Sequence, residues 1–370
     1  MEETLNSPFF DLTLKRYPRI KDEKLRAWDA ADELILEEIS SRNLSGSEKV
    51  LIVNDQWGAL SLNLNSSNPH IYQDSFVCSK GIIENARDNK LQAPHLINDL
   101  NTIEGVYDLI IIKLPKSMSF FEDILISLQK NMTKDCQVII GVMIKHLPKV
   151  SFKLLEKYVG TVTTSLAKKK ARLLFSKAEQ PSLVENPYPL EVKMPNFDLA
   201  LINHSNVFSR EKLDVGTRFF LEHIPKGDYS TILDIGCGNG IVGLKAKMLN
   251  PASQITFSDE SFMAVKSARE NYKLFFEDEA HFHWTNCFED GKEEIFDLVL
   301  CNPPFHQNNT IGDFIAWNMF QDAKKALKKE GRLLVIGNRH LGYHAKLKRI
   351  FKNVELLASN QKFTILECRK

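Results

Sequence analysis

The sequence predicts an α/β protein of two tandem units, each with a mostly parallel sheet. Strand-like and helix-like segments alternate twice along the chain, the pattern of crossover-connected parallel strands. Short stretches of the first half also recur in the same order roughly 185 residues later, a long internal repeat rather than a solenoid period. A length of 370 residues is room for two to three domains at about 150 residues each.

Residues 25–39 read as one amphipathic helix ahead of the first strand. The strand at 50–54 aligns with 232–236, Gln73-Asp74-Ser75 with Ser258-Asp259-Glu260, and Tyr107-Asp108-Leu109-Ile110 with Phe296-Asp297-Leu298-Val299, which points to duplication. Pro181, Pro187, Pro189 and Pro195 mark a linker, so the units are expected at 1–185 and 186–370. In the second half, strands are predicted at 231–235, 254–258, 282–285, 296–301 and 332–337. Helices are predicted at 240–249, 262–275, 315–328 and 343–351. The chain then closes on 354–358, a turn at Asn360-Gln361 and 363–368, a hairpin that adds an antiparallel strand to a parallel sheet.

Composition excludes several classes. With 43% apolar and 26% charged residues the chain is neither disordered nor collagen-like. Lys and Arg total 48 against 47 acidic residues, a formal charge of +1, so a polyanion would have to bind a local patch. The longest apolar runs, such as 109–112, fall far short of the roughly 20 residues that cross a bilayer. The opening MEETLNSPFF is unlike a signal peptide, and six scattered cysteines without a C-x-x-C pair fit free thiols better than disulfides or a metal site. A cytoplasmic protein without membrane association is expected.

After the strand at 231–235 comes Gly236-Cys237-Gly238-Asn239-Gly240, where three glycines permit a tight turn with backbone close to a ligand. Asp259 after the next strand is placed to hold ribose hydroxyls. The register Gly238-x-Gly240-x-x-Gly243 equally satisfies the dinucleotide fingerprint, so the loop alone does not choose the cofactor.

The choice comes from Asn302-Pro303-Pro304-Phe305, at the carboxyl edge where open α/β sheets bind ligands. Two prolines stiffen the backbone and leave rigid carbonyl acceptors. An amine conjugated to a ring is a poor nucleophile because its lone pair is delocalised. If the Asn302 oxygen and the Pro303 carbonyl accept its two N–H bonds, the nitrogen is drawn toward tetrahedral geometry and its lone pair is freed for an electrophilic methyl. Phe305 offers a ring face for stacking a base.

LDIGCGNG at 233–240, Asp259 and NPPF at 302–305 resemble the class I S-adenosylmethionine-dependent methyltransferases that act on planar nitrogen. WDAADELIL at 28–36, HSNVFSREKLDVGTRFF at 204–220, NPPFHQ at 302–307 and NRHLGYHAKLKRIF at 338–351 extend the likeness over the whole chain. Together they resemble the ribosomal RNA guanine-N2 methyltransferases, and the large-subunit (23S) enzymes more than the small-subunit (16S) ones. The resemblance implies two tandem, duplicated Rossmann-like class I methyltransferase domains, the second binding S-adenosylmethionine. It implies that Gly236, Gly238, Asn239 and Gly240 line the cofactor, that Asp234 supports their loop, and that Asp259 holds the ribose. Asn286 stands where adenine is contacted, with Cys287 or Phe288 beside it. Asn302, Pro303, Pro304 and Phe305 form the target-amine site. His306 either orients the base and takes up the departing proton or makes one structural hydrogen bond. Phe208 and Asp214 lie in a segment that folds over the cofactor in these enzymes, although Asp214 reads equally well as a helix cap.

The first half departs from this pattern. It has Asn54-Asp55-Gln56-Trp57-Gly58 in place of the glycine loop and Lys113-Leu114-Pro115-Lys116 in place of NPPF, so it is expected neither to bind cofactor nor to catalyse. Its expected roles are structural support and a grip on RNA through Lys168, Lys169, Lys170 and Arg172, with Lys113 and Lys116 extending the surface. In the second half Arg339, with His340, Lys346, Lys348 and Arg349, is the matching basic set. The implied partner is 23S rRNA, protein-free or in an early assembly intermediate, with no protein partner inferred. Competing readings are a 16S rRNA guanine-N2 methyltransferase, methylation of protein glutamine or of adenine N6, and a non-catalytic RNA scaffold.

Overall fold

The computed structural model describes residues 3–21, 23–42, 46–179, 183–194, 200–289, 291–304 and 310–370. The chain divides into two compact units, Met1–Tyr188 and Pro189–Lys370.

The first unit opens with a short antiparallel pair, β1 (Thr4–Leu5) and β2 (Leu12–Thr13). Helix α1 (Ala30–Ser41) starts five residues later than the hydrophobic pattern predicts, because Asp29 caps it. The Asp29 carboxylate accepts from Ala31 N at 2.8 Å and Asp32 N at 3.3 Å, and Asp32 accepts from Asp29 N at 2.8 Å, a reciprocal capping box. Then follow β3 (Val50–Val53), β4 (His70–Tyr72), α2 (Phe76–Asp88), β5 (His95–Ile97), β6 (Tyr107–Lys113), α3 (Met118–Leu128), β7 (Met132–Met143), α4 (Val150–Tyr158), β8 (Val162–Thr164) and β9 (Ala171–Lys177). The sheet order is β5-β4-β3-β6-β7-β9-β8, with β3 to β7 parallel and β9 antiparallel to its neighbours.

The second unit begins with an antiparallel pair, β10 (Leu190–Lys193) and β11 (Ala200–Asn203), the first of which lies in the proline-marked linker stretch. It continues with α5 (Val215–Leu221), β12 (Thr231–Ile235), α6 (Ile241–Leu249), β13 (Gln254–Asp259), α7 (Phe262–Phe275), β14 (His281–Trp284), β15 (Phe296–Cys301), α8 (Thr310–Ala326), β16 (Leu327–Asn338), α9 (Tyr343–Lys348), β17 (Asn353–Ser359) and β18 (Phe363–Arg369). Its order, β14-β13-β12-β15-β16-β18-β17, is that of the first sheet strand for strand. The terminal hairpin folds back so that β18 lies antiparallel between β16 and β17.

Alternating side chains on the inner strands give the second sheet a core on each face. Ile232, Leu298, Leu300, Leu334 and Ile336 pack toward α5, α6 and α7. Leu233, Ile235, Val299, Cys301, Leu333 and Val335 pack toward α8 and α9. The turns after the first strand of each unit match in backbone as well. Asn54 (φ +64°) and Gly58 (φ +90°) take the left-handed conformations of Gly236 (φ +73°) and Gly240 (φ +85°). The two units thus repeat one Rossmann-like α/β fold.

Candidate active site

The order of the second sheet reverses direction between β12 and β15, which places a crevice outside the carboxyl ends of these strands. The glycine loop crosses one side of it. Gly236 N and Cys237 N donate to Ser258 O at 2.8 and 3.0 Å, which ties the loop to β13. Gly238 has φ +54° and open space where a side chain would stand, whereas a Cβ on Gly240 would meet Ala268 Cβ at 2.9 Å. The first glycine therefore leaves room for a ligand, and the second lets the loop approach α7. Gly243, the third glycine of the dinucleotide register, packs on Phe257 within 2.3 Å of a would-be Cβ and serves helix–sheet contact.

Beneath the loop, Asp234 Oδ2 accepts from Gly243 N at 2.8 Å. Burial pushes its carboxyl up to about 7, only partly opposed by that hydrogen bond, and the charge of Asp259 adds to the rise. The Asn239 side chain is held within the fold: its Nδ2 donates to Asn203 Oδ1 at 2.9 Å and its Oδ1 accepts from Ile241 N at 3.2 Å, which fastens the loop to β11. Asp259 receives Gly238 N on one oxygen at 2.9 Å and Ser261 N on the other at 3.0 Å. These two bonds orient the carboxylate at the end of β13. Asn286 donates to Glu289 Oε2 at 2.8 Å, Cys287 beside it is buried with φ +51°, and Phe288 is buried. Phe208 is 70% exposed in the segment after β11.

On the other side of the crevice stands Asn302, immediately after β15. Its Nδ2 donates to Thr217 Oγ1 at 2.9 Å. The Thr217 hydroxyl leans toward Asp214 Oδ2, 3.4 Å away, which turns its lone pairs to the amide. Asp214 also caps α5 by accepting from Thr217 N at 2.9 Å. With Nδ2 committed, Asn302 Oδ1 is left buried with no partner among the described residues. A buried acceptor kept empty costs roughly 1–3 kcal/mol, a cost consistent with waiting for a donor. Pro303 is buried and Pro304 half-buried. Phe305 and His306 lie outside the described residues. Thr217 went unrecognised in the sequence because its role depends on a partner 85 residues later. Asn338, at the end of β16, is a second buried amide whose oxygen is without a partner among the described residues.

The equivalent positions in the first unit carry other residues. Trp57 is buried in its loop, with its ring 2.6 Å from where a Cβ on Gly81 would lie. Lys113 corrects the sequence expectation of an exposed cationic surface: it is only 7% exposed, and its Nζ lies 2.7 Å from both Asp29 and Asp32 at the start of α1. Lys116 is exposed. In the β8–β9 hairpin Lys168 pairs with Glu37 and Lys169 with Glu33, so two of its lysines hold α1. Lys170, at φ +63°, is exposed at the turn, and Arg172 is half-buried. Arg339 is exposed and donates to Asn360 O at 3.3 Å.

Comparison with known proteins places both halves. The family described as RLMG N-terminal domain matches residues 2–180, and that described as methyltransferase small domain matches residues 198–367. Ribosomal RNA large subunit methyltransferase G of Pseudomonas fluorescens (strain Pf0-1) is 42% identical over 372 residues, covering 99% of each chain. The chain belongs to the ribosomal RNA large subunit methyltransferase G family. The namesake from Pseudomonas aeruginosa (strain UCBPP-PA14) is 41% identical over 374 residues, covering 98% of this chain and 99% of its own. A T. thermophilus 16S rRNA N2 methyltransferase, solved with AdoMet and guanosine, shares the fold with a TM-score of 0.76 at 16% identity, over 99% of this chain and 97% of its own.

Members of this family are S-adenosylmethionine-dependent methyltransferases. The crevice fits that cofactor, with open space at Gly238, an oriented carboxylate at Asp259 and a buried acceptor at Asn302 that has no partner among the described residues. Among the described residues no helix is long and apolar enough to cross a membrane.

Proposed function

We propose that the second unit transfers a methyl group from S-adenosylmethionine to the exocyclic N2 of a guanine in 23S rRNA. The observation that carries this reading is the Asn302 amide, held by Thr217 with its oxygen buried and without a partner among the described residues. The bound cofactor supplies a sulfonium-activated methyl group and leaves as S-adenosylhomocysteine. Asn302 Oδ1 accepts one N–H of the target amine and the Pro303 carbonyl the other, so the nitrogen lone pair leaves conjugation and points across the crevice. The new N–C bond forms as the sulfonium C–S bond breaks, and the nitrogen then sheds a proton that water can take. No strong base is required, because positioning and fixed dipoles supply the rate. Gly236, Gly238 and Gly240 line the methionine and ribose, Asp259 takes the ribose hydroxyls, and Asn286 lies toward adenine. A paired guanine hides its amine, so the substrate is a single-stranded or flipped base in protein-free RNA or an early assembly intermediate in the cytoplasm.

The first unit is assigned to structure and RNA. Trp57 replaces the glycine loop and Lys113, paired with Asp29 and Asp32, replaces the Asn-Pro-Pro-Phe turn, which supports a unit without cofactor chemistry, while the 168–172 hairpin and Arg339 offer cations to phosphate. Relatedness over the whole two-unit chain favours this reading over glutamine or adenine methylation and over a scaffold. The test is to offer tritiated S-adenosylmethionine with unmodified 23S rRNA, 16S rRNA and assembled subunits, then analyse labelled nucleosides. N2-methylguanosine in naked 23S rRNA is expected; label confined to 16S rRNA, mature subunits or protein refutes the proposal.

A further inference from the structure

The amine of guanine is only part of its edge. Beside it lies N1–H, a second donor, and an active site that distinguishes guanine from other amino-bearing bases needs a group for that donor as well. The end of β16 holds one that the mechanism above does not use. Asn338 is 7% exposed, and its Oδ1 is buried without a partner among the described residues.

The sheet places this amide on the same face as Asn302. Strands β15 and β16 run parallel with Leu300 opposite Leu334 and Cys301 opposite Val335. Leu300, Leu334 and Ile336 all point into the core under α5 and α6, so Asn302 and Asn338, each two residues further along, face that way too. By strand geometry their backbones are separated by roughly 5 Å across the sheet and 7 Å along it, within reach of two short side chains converging on one base. Asn338 pairs with Phe363 on β18, and the Phe363 ring lies 3.0 Å from where a Cβ on Gly216 would stand. The start of α5, which holds Asn302 through Thr217, therefore covers this corner as well. In the strand order β13-β12-β15-β16, the glycine loop lies on one side of Asn302 and Asn338 on the other.

We propose that Asn338 reads the target base, its Oδ1 accepting the N1–H of guanine while Asn302 takes the adjacent amine. The inference rests on Asn302 as the amine acceptor. Two carboxamide oxygens converging on one base would match the two adjacent donors of guanine. A purine carrying a lone pair at N1 would set acceptor against acceptor and leave Asn338 unpaired, and sites built for a donor discriminate strongly against analogues that lack it.

The test uses the full chain and a 23S transcript in which the methylated guanine, once mapped by tritium label, is replaced through splinted ligation by 2-aminopurine. That base keeps the N2 amine but has no N1–H. The wild-type protein is expected to prefer guanine by about a hundredfold in kcat/KM. Asn338→Ala lowers activity on guanine and brings the preference within about tenfold, whereas Asn338→Asp, which keeps an acceptor, preserves it. Cofactor affinity measured on each variant reports folding, and Asn338→Ser carries the same comparison if the alanine variant is poorly folded. Equal use of both bases by the wild type, or an undiminished preference in the Ala and Ser variants, overturns the assignment. Asn302→Ala separates the two readings. Loss of transfer to both bases with cofactor binding intact supports the amine site whatever Asn338 does; full activity removes that reading and this inference with it.

Discussion

The carboxamide of Asn302 is oriented by a hydroxyl rather than by the backbone, which makes its role separable from its fold. Asn302→Ala is expected to lower kcat by about 10²–10³, the usual cost of one preorganised polar partner, while a cofactor titration stays unchanged. Thr217→Val should reproduce part of that loss through kcat, and Thr217→Ser should restore it, because only the hydroxyl oxygen on Asn302 Nδ2 is at issue. Asp234 makes a different claim, about pH. Its folded carboxyl is raised from 3.8 to about 7, so the folded chain holds a proton there that the unfolded chain releases, and this site's contribution to stability falls as pH rises through that interval. Asp234→Asn keeps an acceptor for Gly243 N and removes the ionisation. Its stability should track the wild type near pH 4 and exceed it increasingly toward pH 7 in urea melts; a constant gap would contradict the assignment. Asp234, Asp259 and Asn302 were legible in the sequence because each sits at a fixed place relative to a strand end. Thr217 was not, since nothing local marks a helix residue that serves a distant strand.

At the scale of the element, α1 is fastened at both ends of its acidic face by cations from distant parts of the chain. Lys113 at the end of β6 sits between Asp29 and Asp32, and Lys168 and Lys169 reach Glu37 and Glu33 from the β8–β9 hairpin. Burial raises the Asp32 carboxyl to about 7 against the pull of Lys113. Lys113→Met removes that pull, so Asp32 is held protonated at neutral pH and loses its ammonium partner, and a loss of about 1–3 kcal/mol in unfolding free energy is expected by chemical denaturation. The hairpin lysines are exposed pairs of small net worth, so they can exchange Glu33 and Glu37 for phosphate at little cost. Changing Lys168, Lys169 and Lys170 together to glutamate should weaken 23S rRNA binding and flatten its salt dependence by up to about three phosphate contacts; an unaltered slope would remove this hairpin from the RNA surface. Sequence grouped Lys113 with these surface cations because both lie in basic local sequence. The difference is that β6 is a central strand, whose end is roofed by a helix that came 84 residues earlier.

For the whole molecule, duplication has kept topology and let chemistry diverge. The strand order and left-handed turns were readable as a repeat because buried strands and tight turns constrain residue type at close spacing. The β10–β11 pair was hidden behind prolines that also suit a linker. Because the first unit has Trp57 and Lys113 where the second has its glycine loop and the Asn302 turn, calorimetric titration with S-adenosylmethionine should saturate at one equivalent per chain; two equivalents would refute the proposed division of labour. The position of β18 bears on how the second unit is made. Its partners β16 and β17 both precede it in the chain, yet it lies between them, so the sheet cannot close in the order of synthesis. While the last strand is still being translated, β17 has nothing to pair with and β16 presents an open ladder of Val335 and Ile336 alongside polar backbone. Such an edge invites pairing with other chains. Until β18 is inserted, the second sheet therefore ends on an uncovered strand, and only that last pairing closes it.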